Sequence, residues 1–226
     1  MTGFDRLDVV VPTLNAAATL PATLAAVPRD AAVIVSDGGS SDGTLGIARA
    51  ARCRIVEGPR GRGRQLAAGA GAANRPWRLF LHADTIISPQ GWTAIAQYMA
   101  APGGEQAAAT LRLVIDDPAW QARVIERAVA WRVRWFGLAY GDQGLLIHHD
   151  LYAAIGGYPD LPLMEDVEIM RRLGRARHRV LHGQARTSAA RWRRRGWIGQ
   201  TMLNLTSVSL YRLGVPVDRI TKLYDR

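Results

Sequence analysis

The sequence is poor in the residues that build covalent or metal-bound frameworks. Its 226 residues include a single cysteine, Cys53, which excludes an internal disulfide and a zinc site built from cysteines. No uninterrupted apolar run reaches the roughly 18 residues that span a bilayer. The start of the chain has no signal-peptide pattern of an apolar run followed by small residues. We therefore expect a cytoplasmic protein.

Lysine is almost missing, although the chain is strongly basic. Arginine supplies 28 of the 29 basic residues, and the formal net charge is +10. Because the guanidinium group binds phosphate oxygens through a planar pair of donors, such a surface suits nucleotides, anionic membranes or nucleic acids. Hydrophobic residues make up 48% and charged residues 21% of the chain, as in ordinary globular proteins.

The first half alternates short apolar runs with helical patterns. Strands are predicted at 7–13, 31–36, 54–57 and 77–83, and helices at 16–27, 43–51 and 63–73. Continuous apolar strands that are each followed by a helix predict an α/β fold, with a mostly parallel central sheet and helices on both faces. In such sheets, ligands bind beyond the carboxyl ends of the strands.

The second half is less regular but is also built of short elements. Helices are predicted at 89–100, 118–135, 150–155, 165–173 and 197–213, and strands at 107–115, 144–148 and 178–182. Neither a linker nor a repeat interrupts the pattern. We therefore expect one domain over residues 1–226.

Three groups of polar residues stand where ligands are expected. Asp37 follows the second strand, where its carboxylate can accept from a ribose hydroxyl or a base N–H; a turn with Ser41 or Asp42 as helix cap explains the segment equally well. His82 and Asp84 lie one residue apart at a strand end, so both can face one divalent ion; a capping Asp beside a structural His is the alternative.

Glu165 and Asp166 open a helix after the loop 159–162. Acids in a first turn are ordinary partners of the helix dipole. A carboxylate held there is also well placed as a general base for an acceptor hydroxyl.

Arginine and tryptophan cluster in three segments. Residues 60–65 precede a helix and can bind phosphate through backbone N–H and guanidinium groups. The seven Trp residues, several of them within 120–135 and 192–197, are interpreted first as core, with sugar stacking or a membrane interface as alternatives. For the basic and apolar segment 191–211, packing in the core is likewise favoured over peripheral contact with an anionic inner membrane face.

The order of the motifs PTLN, SDGGSSDGT, LFLHADT and GGYPDLPLMEDVE resembles glycosyltransferase family 2, which has the GT-A nucleotide-diphospho-sugar transferase fold. The chain looks closest to a short soluble branch that is often associated with radical-SAM or selenium-linked gene neighbourhoods. The resemblance implies an inverting enzyme that moves a sugar from a UDP- or GDP-sugar to an acceptor hydroxyl. It also implies a nucleotide-binding half, about 1–88, and an acceptor-binding half, about 89–226.

The resemblance implies roles for individual residues. Asp166 matches the catalytic base. Asp84 matches the last acid of the D-x-D motif that binds Mn²⁺ or Mg²⁺, and His82 replaces the first acid, which puts metal dependence in question. The residues that match the family's acceptor-binding positions are Asp142, Gln143 and Glu165. Those that match its donor nucleotide-binding positions are Pro12, Thr13, Asn15, Asp37, Gly38, Asp42, Arg64, Gln65, Ala83, Arg191 and Trp192.

Two other classes of function were weighed. A sugar-phosphate nucleotidyltransferase needs a Gly-rich loop with Arg and Lys after the first strand, where this chain has PTLNAAATL. A nucleic-acid-binding module would fit the charge, but the sequence shows no helix-turn-helix, RRM signature or zinc framework. We therefore expect a nucleotide-sugar partner and no nucleic-acid partner. Because His82 replaces an acid of the metal motif, an inactive member of the family is a further alternative.

Overall fold

A computed structural model describes residues 3–224. Within that range, eight strands form one sheet in the order β3-β2-β1-β4-β7-β6-β8-β5. The strands are β1 (Leu7–Thr13), β2 (Ala32–Asp37), β3 (Arg54–Glu57), β4 (Trp77–Phe80), β5 (Thr85–Ile87), β6 (Ala108–Asp116), β7 (Leu145–His148) and β8 (His178–Ser188).

Ten α-helices lie between and after these strands in the same part of the chain. They are α1 (Leu20–Ala25), α2 (Thr44–Ala50), α3 (Arg62–Ala72), α4 (Pro89–Ala100), α5 (Trp120–Phe136), α6 (His149–Ala154), α7 (Glu165–Leu173), α8 (Ala190–Arg195), α9 (Trp197–Arg212) and α10 (Val217–Tyr224). None of the helices described is both long enough and apolar enough to cross a bilayer.

The sheet is mostly parallel, as the sequence predicts. Strands β1 to β4 pair in parallel, and β6 pairs in parallel with β8. Strand β7 runs antiparallel to its neighbours β4 and β6, and β5 runs antiparallel to β8. Six of the eight strands therefore point the same way. The last residues of β1 and β2, Thr13 and Asp37, are paired in register, so their polar side chains meet at one edge.

The sheet is buried on both faces, because alternate residues of β1 enter different core clusters. Val9 and Val11 pack in a cluster with Leu20 of α1 and Ile95 of α4. Val10 packs on the other face with side chains from α3, α6 and α7. Side chains that alternate along a strand point to opposite faces, and helices on both faces supply the apolar partners, so the predicted layering is confirmed.

Some elements depart from the sequence prediction. Strand β4 ends at Phe80, because the amide of Thr85 donates to the carbonyl of His82 (3.1 Å) and closes a turn. Helix α1 begins at Leu20. Strand β8 runs on to Ser188, and the partners of its extension include β5, which is only three residues long. Strand β5 is too short to show a pattern, and the second half of β8 lacks the apolar pattern by which strands are recognised.

Candidate active site

Gln65 forms the floor of the site by tying two strand ends together. Its side-chain Nε2 donates to the carbonyls of Thr13 (2.6 Å) and Ser36 (3.0 Å). A Cβ on Gly38 would lie 2.9 Å from the Gln65 carboxamide, which is closer than side chains approach. Gln65 therefore holds the carboxyl ends of β1 and β2, and Gly38 leaves the space that it needs.

Asp37 is buried at the end of β2 and organises the loop that follows. Its carboxylate accepts from the hydroxyls of Thr13 (2.8 Å) and Ser40 (2.5 Å) and from the amides of Gly39 (2.9 Å) and Ser40 (2.7 Å). Burial opposes the charge, but these hydrogen bonds outweigh it and lower the pKa of Asp37. The ionised carboxylate is therefore fixed just behind the strand ends.

Asp42 and Asn15 connect this loop to the segment after β1. Asp42 accepts from the amides of Thr44 (3.0 Å) and Ala17 (3.1 Å), and the hydrogen bond from the Thr44 hydroxyl is the largest cause that lowers its pKa. The amide of Asn15 donates to the Ser40 hydroxyl (2.8 Å). The N-cap of α2 is Gly43 rather than the predicted Ser41 or Asp42, and Asp42 instead joins the two loops.

A pocket of about 540 Å³ opens beyond the ends of β1 and β4. Several predicted donor positions line it together with the predicted metal-binding pair His82 and Asp84. Although the two residues lie in a turn rather than on a strand, both still face the pocket. The predicted residues that line it are Pro12, Thr13, Asn15, Gln65, His82, Ala83, Asp84 and Arg191.

Two arginines give the pocket a positively charged wall. Arg191 Nη2 lies 3.9 Å from Asp84 Oδ2, and Arg62 Nε lies 3.6 Å from Glu165 Oε1. Burial, followed by the charges of Arg62 and Arg191, holds the pKa of His82 well below its usual value. His82 is therefore a neutral imidazole, which is the form that binds metal ions.

The loop before α7 is anchored on the first turn of α3. The amide of Gly63 donates to the carbonyl of Leu161 (3.0 Å), and Arg64 forms an ion pair with Asp160. A Cβ on Gly63 would lie 2.2 Å from the carbonyl oxygen of Pro159, so only glycine permits this approach. The contact fixes the position from which Glu165 and Asp166 begin α7.

Asp166 and His82 lie against the same residue, Gly141. The amide of Gly141 donates to Asp166 Oδ2 (3.2 Å), and a Cβ on Gly141 would lie 2.4 Å from His82 Nε2. Gly141 begins a short 3₁₀ turn that ends at Gln143. The structure thus brings the predicted base and the predicted metal ligand together around one backbone position.

Asp142, which is predicted to lie on the acceptor side, has one carboxylate oxygen that no hydrogen bond satisfies. Its Oδ1 is shielded from solvent and has no hydrogen-bond partner among the described residues. Burial is the main cause that raises the pKa of Asp142, and the nearby charges of Asp166 and Asp84 add to it. This carboxyl group faces the same cluster of charges as the pocket.

Two other acceptor-side predictions need correction. Glu165 is 1% exposed, and its burial raises its pKa to about 7, so an acceptor in solution does not reach it. Gln143 is also buried, and its Nε2 donates to the carbonyl of Leu111 (3.0 Å). Neither side chain lines the pocket in the described structure.

The predicted donor residues do not all reach the pocket. Asp37, Gly38 and Asp42 support it from behind, as described above. In the described structure, neither Arg64 nor Trp192 lines the pocket. Arg64 points outward to Asp160 because α3 begins at Arg62, and Trp192 is buried, with its ring stacked on Trp197 at 6.2 Å.

Residues without an individual role in the sequence prediction also line the pocket. Arg60 and Arg62 belong to the segment 60–65, for which phosphate binding is predicted. Thr221 and Tyr224 come from α10, whose Ile220 is fully buried. Pro216 followed by apolar residues at helical spacing was the available signal for this helix.

A second group of potential metal ligands lies away from the pocket. His148, His149 and Asp150 have ligand atoms within 4.8 Å of one another. His148 pairs with Trp77, the first residue of β4, whereas Asp84 follows the last residue of that strand. The two groups therefore lie at opposite ends of the sheet.

Comparison with known sequences now identifies the family. The profile of glycosyl transferase family 2 matches residues 8–158, a range that includes the strand ends, the pair His82 and Asp84 and the turn at Gly141. The chain belongs to glycosyltransferase family 2.

Curated relatives in this family come from mycobacteria. Uncharacterised glycosyltransferases of Mycobacterium tuberculosis and Mycobacterium bovis are each 32% identical to the chain over 133 residues. The match spans 58% of this family 2 chain and 60% of the length of each relative.

Solved structures with the same fold are also glycosyltransferases. A mannosyltransferase from Pyrobaculum calidifontis, in complex with GDP-Man and Mn²⁺, aligns with a TM-score of 0.60 and 20% identity over 80% of this chain and 56% of its own. Glucosyl-3-phosphoglycerate synthase from M. tuberculosis, in complex with Mn²⁺ and UDP-Glc, aligns with a TM-score of 0.58 and 18% identity, covering 93% and 79%. These similarities establish the GT-A fold for this family 2 member.

Proposed function

We propose that the protein transfers a sugar from a nucleoside-diphosphate-sugar to an acceptor hydroxyl, with inversion at the anomeric carbon. The observation that carries the proposal is the contact of His82 and Asp166 with the same residue, Gly141. It joins a candidate metal ligand to a candidate base at one backbone position. Family membership and the GT-A fold support the reaction class.

The donor is assigned to the pocket beyond β1 and β4. Its nucleoside lies along Pro12, Thr13 and Asn15, over the floor formed by Gln65. Its diphosphate faces Arg62 and Arg191, whose guanidinium groups can donate paired hydrogen bonds to phosphate oxygens. UDP or GDP is the expected nucleotide; solved relatives with this fold hold UDP-Glc and GDP-Man.

The residues of the pocket fit a divalent cation, Mn²⁺ or Mg²⁺. Asp84 offers a carboxylate and His82 a neutral imidazole, and both line the pocket. When bound, the ion neutralises charge on the departing diphosphate. Since one carboxylate binds a hard cation weakly, diphosphate oxygens would complete the coordination of the ion. Arg62 and Arg191 would neutralise part of the diphosphate charge together with the ion.

Asp166 is assigned as the general base. It takes the proton of the acceptor hydroxyl while the oxygen bonds to the anomeric carbon and the bond to the diphosphate breaks. One base on the side opposite the leaving group is sufficient for inversion, so no nucleophilic carboxylate is needed. The hydrogen bond from Gly141 orients Oδ2 of Asp166.

Hydrolysis of UDP- and GDP-sugars, with and without Mn²⁺ or Mg²⁺, tests the proposed donor class and the metal-binding role of Asp84. We expect turnover of a subset of donors and a fall of about 10²-fold or more in Asp84→Ala. The control is Asp150→Ala, which changes the exposed metal-ligand group at the other end of the sheet and should keep wild-type turnover. Hydrolysis of no donor, or equal turnover in Asp84→Ala, would refute the proposal.

A further inference from the structure

Helix α5 presents a row of large aromatic side chains to solvent. Trp120, Trp131 and Trp135 are 70%, 59% and 55% exposed, and Val124 between them is 49% exposed. The opposite side of the helix packs in the interior through Ala122, Ile125, Val129 and Val133. With 100° between successive residues, the exposed row lies directly opposite the packed one. The core interpretation of these three Trp residues is therefore wrong.

The same face is positively charged. Arg127 and Arg134 are exposed on either side of Trp131, whereas Arg123, one turn earlier, forms an ion pair with Glu126 at 2.9 Å. Glu126, the acidic residue of α5, is partly buried, where it accepts a hydrogen bond from the amide of Ile115 (2.6 Å). The outward face thus combines indole rings with guanidinium groups and offers no exposed carboxylate of its own.

Helix α9 carries a second exposed apolar row. Ile198, Met202 and Leu205 are each more than half exposed, and residues 197–212 include no acid. Trp197, the first residue of α9, packs in one cluster with Ile125 and Val129 of α5. Through Trp197, the start of α9 is therefore attached to the cluster that lies beneath α5.

We propose that this face, formed by the exposed rows of α5 and α9, binds the surface of an anionic lipid bilayer. Trp side chains favour the boundary between headgroups and acyl chains, and arginines nearby are attracted to acidic headgroups. An amphipathic helix with these two properties lies in the plane of the interface. No helix within residues 3–224 can span a bilayer, so the contact is peripheral.

Charge complementarity favours a bilayer over a second copy of the chain. A two-fold interface brings the same surface of both copies together, so Arg127 and Arg134 would face like charges with no carboxylate between them. An acidic bilayer instead supplies phosphates for the arginines and an apolar layer for the indole rings. Both halves of the face are then satisfied.

Vesicle flotation tests the proposal with vesicles of phosphatidylcholine, with and without phosphatidylglycerol, at low and high salt. We expect the wild type to float with acidic vesicles at low salt only. Shallowly brominated lipids should quench the fluorescence of the bound protein, because the Trp rings enter the boundary region. Trp120→Ser/Trp131→Ser/Trp135→Ser should weaken binding at least about 10-fold, since three large apolar side chains no longer insert.

A matched pair of charge reversals isolates the face from overall charge. Arg127→Glu/Arg134→Glu should weaken binding by about 10-fold or more, whereas Arg29→Glu/Arg49→Glu, with the same net charge but changes outside α5 and α9, should bind nearly as the wild type does. Thermal melting of each variant checks that it is folded. Absence of wild-type flotation, equal losses in both charge variants, or a wild-type dimer that the Trp variant loses would each overturn the proposal.

Discussion

Two neighbouring acids, Glu165 and Asp166, show how burial divides roles between adjacent residues. Glu165 is enclosed beside Arg62, whereas Asp166 is only partly buried and is oriented by the amide of Gly141. A general base needs a charged carboxylate within about 3 Å of the proton that it takes. Of the two acids, Asp166 is the more exposed, which supports its assignment as the base.

Asp166→Asn keeps the shape of the side chain but removes its basicity. We expect sugar transfer to fall by about 10²-fold or more, the range usual for loss of a general base, while donor affinity stays nearly unchanged. Initial rates of transfer and a separate donor titration measure the two quantities.

Glu165→Gln is the companion variant, and its loss of transfer should be smaller. Near wild-type transfer in Asp166→Asn together with an inactive Glu165→Gln would show that the wrong acid is named.

At the residue scale, the sequence identified positions at or shortly after a strand end. Pro12 and Thr13 end β1, Ala83 and Asp84 lie in the turn after β4, and all four line the pocket. The choice between neighbouring arginines was out of reach. It depends on where α3 begins, and that is set by contact of its first turn with a loop nearly 100 residues later in the chain.

The contact between α3 and the loop 159–162 can be tested with one methyl group. Gly63→Ala would place a Cβ 2.2 Å from the carbonyl oxygen of Pro159. We expect a loss of about 1–3 kcal/mol in the free energy of unfolding, as for other overpacked sites, and weaker donor binding because the loop shifts. Urea denaturation and a donor titration measure these effects.

Gly71→Ala in the same helix is the matched control. A Cβ there meets nothing within 4 Å, so alanine should stabilise the protein by about 0.4–1 kcal/mol by restricting the unfolded chain. If Gly63→Ala were as stable as Gly71→Ala, the close approach would have to be relieved without cost, and α3 would not anchor the loop.

At the element scale, segments with a clear local pattern were predicted well and several short ones were not. Helices α4 and α7 and strand β3 have the predicted bounds, because their apolar spacing or caps are local. Strand β5 and helices α8 and α10 were missed. Each is short, and its stability comes from neighbours distant in sequence, such as β8 for β5, which no local pattern records.

The free energy of unfolding of the whole molecule is expected to fall as the buried carboxyl group of Glu165 ionises. Burial raises the pKa of Glu165 to about 7 in the folded protein from 4.5. Between these values the folded state holds a proton that the unfolded state has released. The unfolding free energy contributed by Glu165 therefore falls as pH rises from about 4.5 to 7 and stays low above that.

Glu165→Gln removes this pH dependence. Relative to the wild type, the variant should gain about 1–3 kcal/mol in unfolding free energy between pH 5 and pH 8. Urea denaturation at the two pH values gives the difference, which cancels contributions from His82 and His178 because both proteins share them. If the difference in unfolding free energy between Glu165→Gln and the wild type were the same at pH 5 and pH 8, Glu165 would already be ionised at pH 5.

Helix α8 contacts both the pocket and the apolar cluster beneath α5. Arg191 lines the pocket, and the next residue, Trp192, packs in the cluster beneath α5 and α9. If donor phosphates draw Arg191 inward and Trp192 moves with it, we expect the affinity for lipid to change. Thermodynamic reciprocity then requires lipid to change donor affinity by the same factor. A donor titration with and without acidic vesicles measures this change in donor affinity.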